Sequence, residues 1–67
     1  MDQQKPKRFL RIAAVIEKIG VSRAMIYQMA AESDFPKPVK IAPKASAWVE
    51  SEVDAWMDAR IAASRAQ

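Results

Sequence analysis

A mainly α-helical domain with one small β-hairpin is the fold class this chain predicts, and three observations carry it. Two stretches of helical apolar spacing meet at Gly20, with a capping serine two residues later. Residues 35–49 then bring in prolines and alternate as strands do. A third helical stretch follows a group of acids at Glu50, Glu52 and Asp54. Sixty-seven residues make one domain, because half that length does not enclose a core.

Residues 1–8 are polar and basic with no apolar period, and are expected to form a flexible arm outside the core. From Leu10 the apolar positions Ile12, Val15, Ile16 and Ile19 fall on one helix face that ends at Gly20. Gly20 suits the left-handed closing position, Val21 is an apolar plug, and Ser22 can accept from the amides two and three residues on. The second helix runs from Ser22 through Glu32, with Ile26, Met29 and Ala30 inward and Arg23, Tyr27 and Gln28 on another face.

Pro36 and Pro38 stop the helix, and the alternation at Val39, Lys40 and Ile41 predicts a half-buried strand. Ala42-Pro43-Lys44 is the turn, and Ser46–Val49 returns with Trp48 over the core. Ser51 and Asp54 have the spacing of a reciprocal cap, so the third helix is expected to start there. Its inward stripe is Val53, Trp56, Met57 and Ile61, and it should fray beyond Ser64. The domain is therefore expected over 9–64, with a loose end at 65–67.

Composition narrows function. Without cysteine or histidine a zinc finger is excluded, and the common proton shuttle and metal ligand are missing, so no metal or other cofactor is expected. No phosphate-cradling glycine loop occurs, and Asp54 and Asp58 lie at a helix start where acids are favoured structurally, so no enzyme is expected. No apolar run approaches the ~20 residues that cross a bilayer, and MDQQKPKRF lacks a following hydrophobic signal region, which points to the cytoplasm and to no membrane partner. Charge is divided unevenly. Residues 1–49 hold nine bases against four acids, whereas residues 50–67 set two arginines against four acids. One end of the molecule thus suits a polyanion and the other does not.

Helix, three-residue corner, capped helix, basic hairpin and packing helix is the element order of a winged helix-turn-helix. The chain also resembles a known family. Ser22-Arg23 followed by Ile26-Tyr27, the run Phe35-Pro36-Lys37-Pro38-Val39-Lys40, and Trp48 followed by Glu50-Ser51-Glu52-Val53-Asp54-Ala55-Trp56 are similar to the AlpA family of phage and genomic-island regulators. The likeness covers about four fifths of the chain. It departs from the family pattern at Ala24, where serine is usual, at Met25, where threonine is expected, and at Lys44, where the hairpin tends to carry arginine. The resemblance implies an excisionase-like and MerR-like winged helix-turn-helix that binds double-stranded DNA at promoters or attachment sites of integrated elements.

The DNA-binding residues expected on this basis are Ser22, Arg23, Ala24, Tyr27, Gln28, Lys37, Lys40 and Lys44. Arg23 can reach a guanine edge or a phosphate, and Gln28 can pair with adenine. Tyr27 has two readings, a phosphate contact through its hydroxyl or packing against the hairpin. Lys40 and Lys44 suit the backbone or the minor groove, with Lys37 the weaker candidate. Met29, Trp48 and Trp56 are assigned to the core. The leading expectation is a transcription regulator of an integrated phage or island, acting on the element's own genes such as its integrase. An alternative is an excision factor that bends attachment-site DNA, in which case several copies should bind adjacent repeats cooperatively. A further alternative is an interaction module that holds a response regulator or the integrase on the acidic face of helix three. Because that helix is expected to be consumed by core packing, the chain should be a monomer in solution.

Overall fold

The structure is a computed structural model and describes residues 7–66; the expectation for the arm at residues 1–6 and for Gln67 lies outside the described residues. Its elements in chain order are β1 (Phe9–Leu10), α1 (Ile12–Ile19), α2 (Arg23–Glu32), β2 (Val39–Ala42), β3 (Ala45–Val49) and α3 (Glu50–Arg65). Three helices and a small antiparallel hairpin make it mainly α, as the sequence predicts.

The corner between α1 and α2 forms as its residues require. Gly20 takes φ 78° and ψ 25°, the left-handed region open to a residue without a Cβ, and its amide donates to the Ile16 carbonyl at 2.8 Å. Ser22 is extended, and its hydroxyl accepts from the Met25 amide at 3.1 Å, satisfying a helix-start donor. α1 has no side-chain cap, because Arg11 at that position offers no short acceptor.

A strand at Phe9–Leu10 was not expected from the sequence. It lies antiparallel to β3, with Phe9 opposite Val49 and Leu10 opposite Trp48, giving the sheet order β1-β3-β2. Two residues are too short for an alternating pattern, and only the distant β3 reveals them as a strand. Leu10 accordingly belongs to the sheet side of the core and not to α1.

Three further expectations are corrected. β2 is exposed along its whole length, so the alternation of Val39 and Ile41 does not mark a buried face. The strand is the open edge of the sheet, and Ile41 falls at an irregularity in the register between Lys40 and Ala42. The reciprocal cap of Ser51 and Asp54 does not form: α3 begins at Glu50, directly from β3, with Val49 in the capping position. There the Glu50 amide donates to the Arg8 carbonyl at 2.8 Å, so strand pairing satisfies one of the free amides at the start of α3. Finally, Ile61 is 46% exposed, and every residue from Asp58 to Ala66 is exposed. Only the first half of α3 packs, which removes the premise that the helix is consumed by the core, and the helix continues through Arg65.

The core is built from Leu10, Val15, Ile26, Ala30, Phe35, Trp48 and Val53, with Ile12, Ala14, Ile16, Ile19, Val21, Met29, Trp56 and Met57 partly buried against it. Trp48 is its largest fully buried side chain. Its indole Nε1–H donates to the Pro36 carbonyl at 2.9 Å, so burying this ring leaves no polar atom without a partner. Phe35 meets Trp56 edge to face, with centroids 4.9 Å apart, and thereby fixes the segment after α2 onto α3.

Candidate nucleic-acid interface

α2 has two dissimilar sides. Ile26 and Ala30 are buried, while Arg23, Ala24, Met25, Tyr27 and Gln28 are exposed. Because Ser22 secures the first turn, the Arg23 side chain leaves a well-ended helix and not a frayed one. Its guanidinium lies 5.9 Å from the centroid of the Tyr27 ring, a cation–π arrangement one turn along the helix. Tyr27 in turn leans on Trp48 of β3, with centroids 5.6 Å apart and planes tilted by 59°.

Arg23, Tyr27 and Trp48 thus form a continuous stack that couples the exposed side of α2 to the hairpin. The two sequence readings of Tyr27 are compatible, since the ring packs on the hairpin strand while the residue stays 41% exposed. Gln28 is exposed, with its amide Nε2 donating to the Glu32 carboxylate at 3.4 Å. A long bond of this kind on the surface is readily exchanged for another partner.

Lys40 and Lys44 are both exposed, Lys40 in β2 opposite Ser46 and Lys44 in the two-residue turn with Pro43. Lys37 is placed differently. Its ammonium donates to the Ala30 carbonyl near the C-terminal end of α2, where a cation also suits the helix dipole. It shares a surface hollow with Tyr27, Ala30, Ala31 and Pro38. The structure therefore groups Arg23, Tyr27 and the hairpin through Trp48, while Lys37 sits at the far end of α2 from Arg23.

Two of the cations are held in ion pairs among the described residues, and the candidate residues are not among them. Lys18 pairs with Asp54 at 3.0 Å and with Glu50 at 3.5 Å, and Arg60 pairs with Asp34 at 3.5 Å. The hydrogen bond from Lys18 to Asp54 holds the lysine above its ordinary pKa of 10.5, aided by the charges of Asp54 and Glu50 and opposed by burial. Arg23, Lys37, Lys40 and Lys44 make no ion pair among the described residues. Met25, at the position where the family resemblance expects threonine, is 45% exposed.

Among the described residues, no group of His, Cys, Asp or Glu is gathered closely enough to hold a metal ion, and no helix is long and apolar enough to cross a membrane. An exposed helix face and a basic hairpin are what the described residues present.

Comparison with known proteins gives the class first. Residues 8–61 match the model of a family of prophage regulatory proteins. The chain belongs to that family, described as Prophage CP4-57 regulatory protein (AlpA). It is similar to the DNA-binding transcriptional activator AlpA of Escherichia coli K12, 35% identical over 66 residues that cover 90% of this chain and 94% of the relative. It is also similar to the uncharacterized protein ORF88 of Enterobacteria phage P4, 45% identical over 56 residues. That match covers 84% of this chain and 64% of the phage protein, so the chain spans just under two thirds of that relative. No solved structure matches the chain significantly.

Proposed function

We propose that this protein is a sequence-specific DNA-binding transcriptional regulator of an integrated phage or genomic island, built as a winged helix-turn-helix. In this reading α2 enters the major groove and the hairpin of β2 and β3 lies along the backbone. Ser22, Arg23, Ala24, Tyr27 and Gln28 face the groove, Lys40 and Lys44 meet phosphates, and Lys37 adds charge at the edge. The protein is a monomer in free solution, cytoplasmic and without catalysis, and its regulatory target is the element's own genes, the integrase gene first among them.

The observation that carries the proposal is the set of cations on α2 and the hairpin that have no acidic partner among the described residues, joined through Tyr27 and Trp48. Cations already paired within a protein gain little from a phosphate, whereas unpaired ones release the counterions of DNA on binding. The name of the E. coli relative, a DNA-binding transcriptional activator, supports the same reading.

Fluorescence anisotropy tests it against three duplexes: the region upstream of the neighbouring integrase gene, the attachment-site arms, and a scrambled sequence. Tight binding confined to the promoter is expected, with affinity falling at a log–log salt slope near −4 to −5 as about four to six phosphates are neutralised. Stepwise binding at the attachment arms would move the assignment to an excision factor that bends DNA. Equally weak binding to all three duplexes at low and high salt would refute DNA as the partner.

A further inference from the structure

We propose that the exposed distal half of α3 pairs with the same stretch of a second copy of this chain, antiparallel about a two-fold axis. Asp58, Ile61, Ala62 and Arg65 stand at i, i+3, i+4 and i+7, which places them along one stripe of the helix, and all four are exposed. Asp58, Ala62 and Arg65 point off the side of α3 that packs through Val53, Trp56 and Met57, and Ile61, one turn beyond Met57, borders that side but stays 46% exposed. Neither Asp58 nor Arg65 makes an ion pair among the described residues. Separated by two turns, about 10 Å along the axis, they do not pair with one another.

Read along the chain, the stripe is acid, apolar, apolar, base, and it is its own complement when reversed. An axis passing between Ile61 and Ala62 sets each Asp58 against Arg65 of the other copy, twice, and sets Ile61 on Ala62 between the two ion pairs. This is the self-matching that an isologous interface needs. Parallel pairing would place like charges at the same level, so the charges select the antiparallel arrangement. The small Ala62 leaves room for Ile61 of the other helix, because the distance between packed helices follows the side chains at their contact.

Size limits the strength of this pairing. The exposed strip is about 14 Å long and 10 Å wide, far below the ~800 Å² per partner of a stable protein interface. The contact therefore fails to hold a dimer in dilute solution and acts when two copies are kept close, where the effective concentration reaches the millimolar range. Adjacent, inverted DNA sites supply that proximity and the matching symmetry. The cooperativity on DNA rests on the function proposed above, whereas the self-pairing does not.

The experiment has two arms using the full chain, with helicity of each variant checked by circular dichroism. In the first, without DNA, amide NMR shifts are followed from micromolar to millimolar protein. Concentration-dependent shifts are expected within residues 58–66, absent in Asp58→Arg and in Arg65→Asp. They should return in the double swap, because each reversed charge then meets a reversed partner. In the second, binding is measured to duplexes carrying one target site or two inverted sites. A coupling on the order of tenfold between the two sites is expected, lost in each single variant and regained in the double swap, with single-site affinity unchanged. Shifts independent of concentration, shifts lying elsewhere, or a double swap that fails to restore pairing would overturn the proposal. If DNA binding itself is absent, that refutes the function proposed above, and the first arm still decides the self-pairing.

Discussion

α2 and α3 are both surface helices with one apolar side, yet the start of α3 spends two of its acids within the molecule where the start of α2 keeps its base free of any among the described residues. On α3 Lys18 engages Glu50 and Asp54, and Arg60 reaches back over the Trp56 ring at 4.9 Å to Asp34, while Glu52, Asp58 and Arg65 make no ion pair among the described residues. On α2 and the hairpin, Arg23, Lys40 and Lys44 have no acidic partner among the described residues, and Arg23 rests on an aromatic ring. Net charge therefore says less about the interface than partnering does. A base already paired within the fold is a structural feature, and a base left without an acid is available to a polyanion.

The largest effect tests the joint between the two regions. Trp48→Ala removes the ring on which Tyr27 leans and which closes the core, and should cost about 3–5 kcal/mol. A core in a chain this short supplies little more than that, so thermal denaturation followed by circular dichroism should show no cooperative transition at room temperature and above. Retention of the native transition together with loss of DNA binding would transfer Trp48 from the core to the interface.

Next in size is charge reversal. Arg23→Glu with Lys40→Glu should lower duplex affinity by about a hundredfold or more, through lost charge-assisted contacts and new repulsion. The melting temperature should stay close to that of the native protein, since both residues are exposed and neither makes an ion pair among the described residues. Asp58→Lys should leave single-site affinity unchanged. The reverse pattern, with regulatory function intact in Arg23→Glu with Lys40→Glu and abolished in Asp58→Lys, would instead favour a protein partner on α3.

Tyr27 permits a finer separation. Tyr27→Phe keeps the stack between Arg23 and Trp48 and removes only the hydroxyl, so a loss of about fivefold in affinity at unchanged melting temperature is expected, the size of one hydrogen bond. An unchanged affinity would restrict Tyr27 to packing.

The smallest effect is expected at Lys18. Its pKa is raised in the folded state, so its contribution is fully present below the unfolded value of 10.5 and is lost as pH rises through the folded value. Thermal scans across that alkaline range should show a step in the native protein that Lys18→Met lacks. A step of equal size in both would mean that other groups carry it.

Much of the helical corner was legible because its signals are local. The Gly20 turn, the Ser22 cap and the inward Ile26 and Ala30 each follow from backbone geometry or hydrogen bonds reaching no more than four residues. The hairpin was legible from Pro36, Pro38 and the turn at Pro43-Lys44, but the burial of its strands was not. Val39 and Ile41 alternate as if half-buried, and which strand lies at the sheet edge depends on pairing with residues far away in the chain. The candidate site was legible as residue types, since Arg23, Lys40 and Lys44 stood out by charge and spacing. That Lys37 donates to Ala30, and that Met25 is exposed, emerged only once α2 was oriented.

By itself the sequence determined the helices, the corner between the first two, the hairpin and the basic bias of residues 1–49, since each follows from periodicity, capping chemistry or composition within a short stretch. Tertiary structure alone decided that Phe9–Leu10 is a strand, that α3 begins at Glu50 with its amide bonded to the Arg8 carbonyl, and that Ile61 is left uncovered. It likewise decided which charges are engaged, through Lys18 with Asp54 and Asp34 with Arg60. The reason is physical: a helix closes its hydrogen bonds among near neighbours, but a strand, a buried face or an ion pair exists only when the chain returns to meet it.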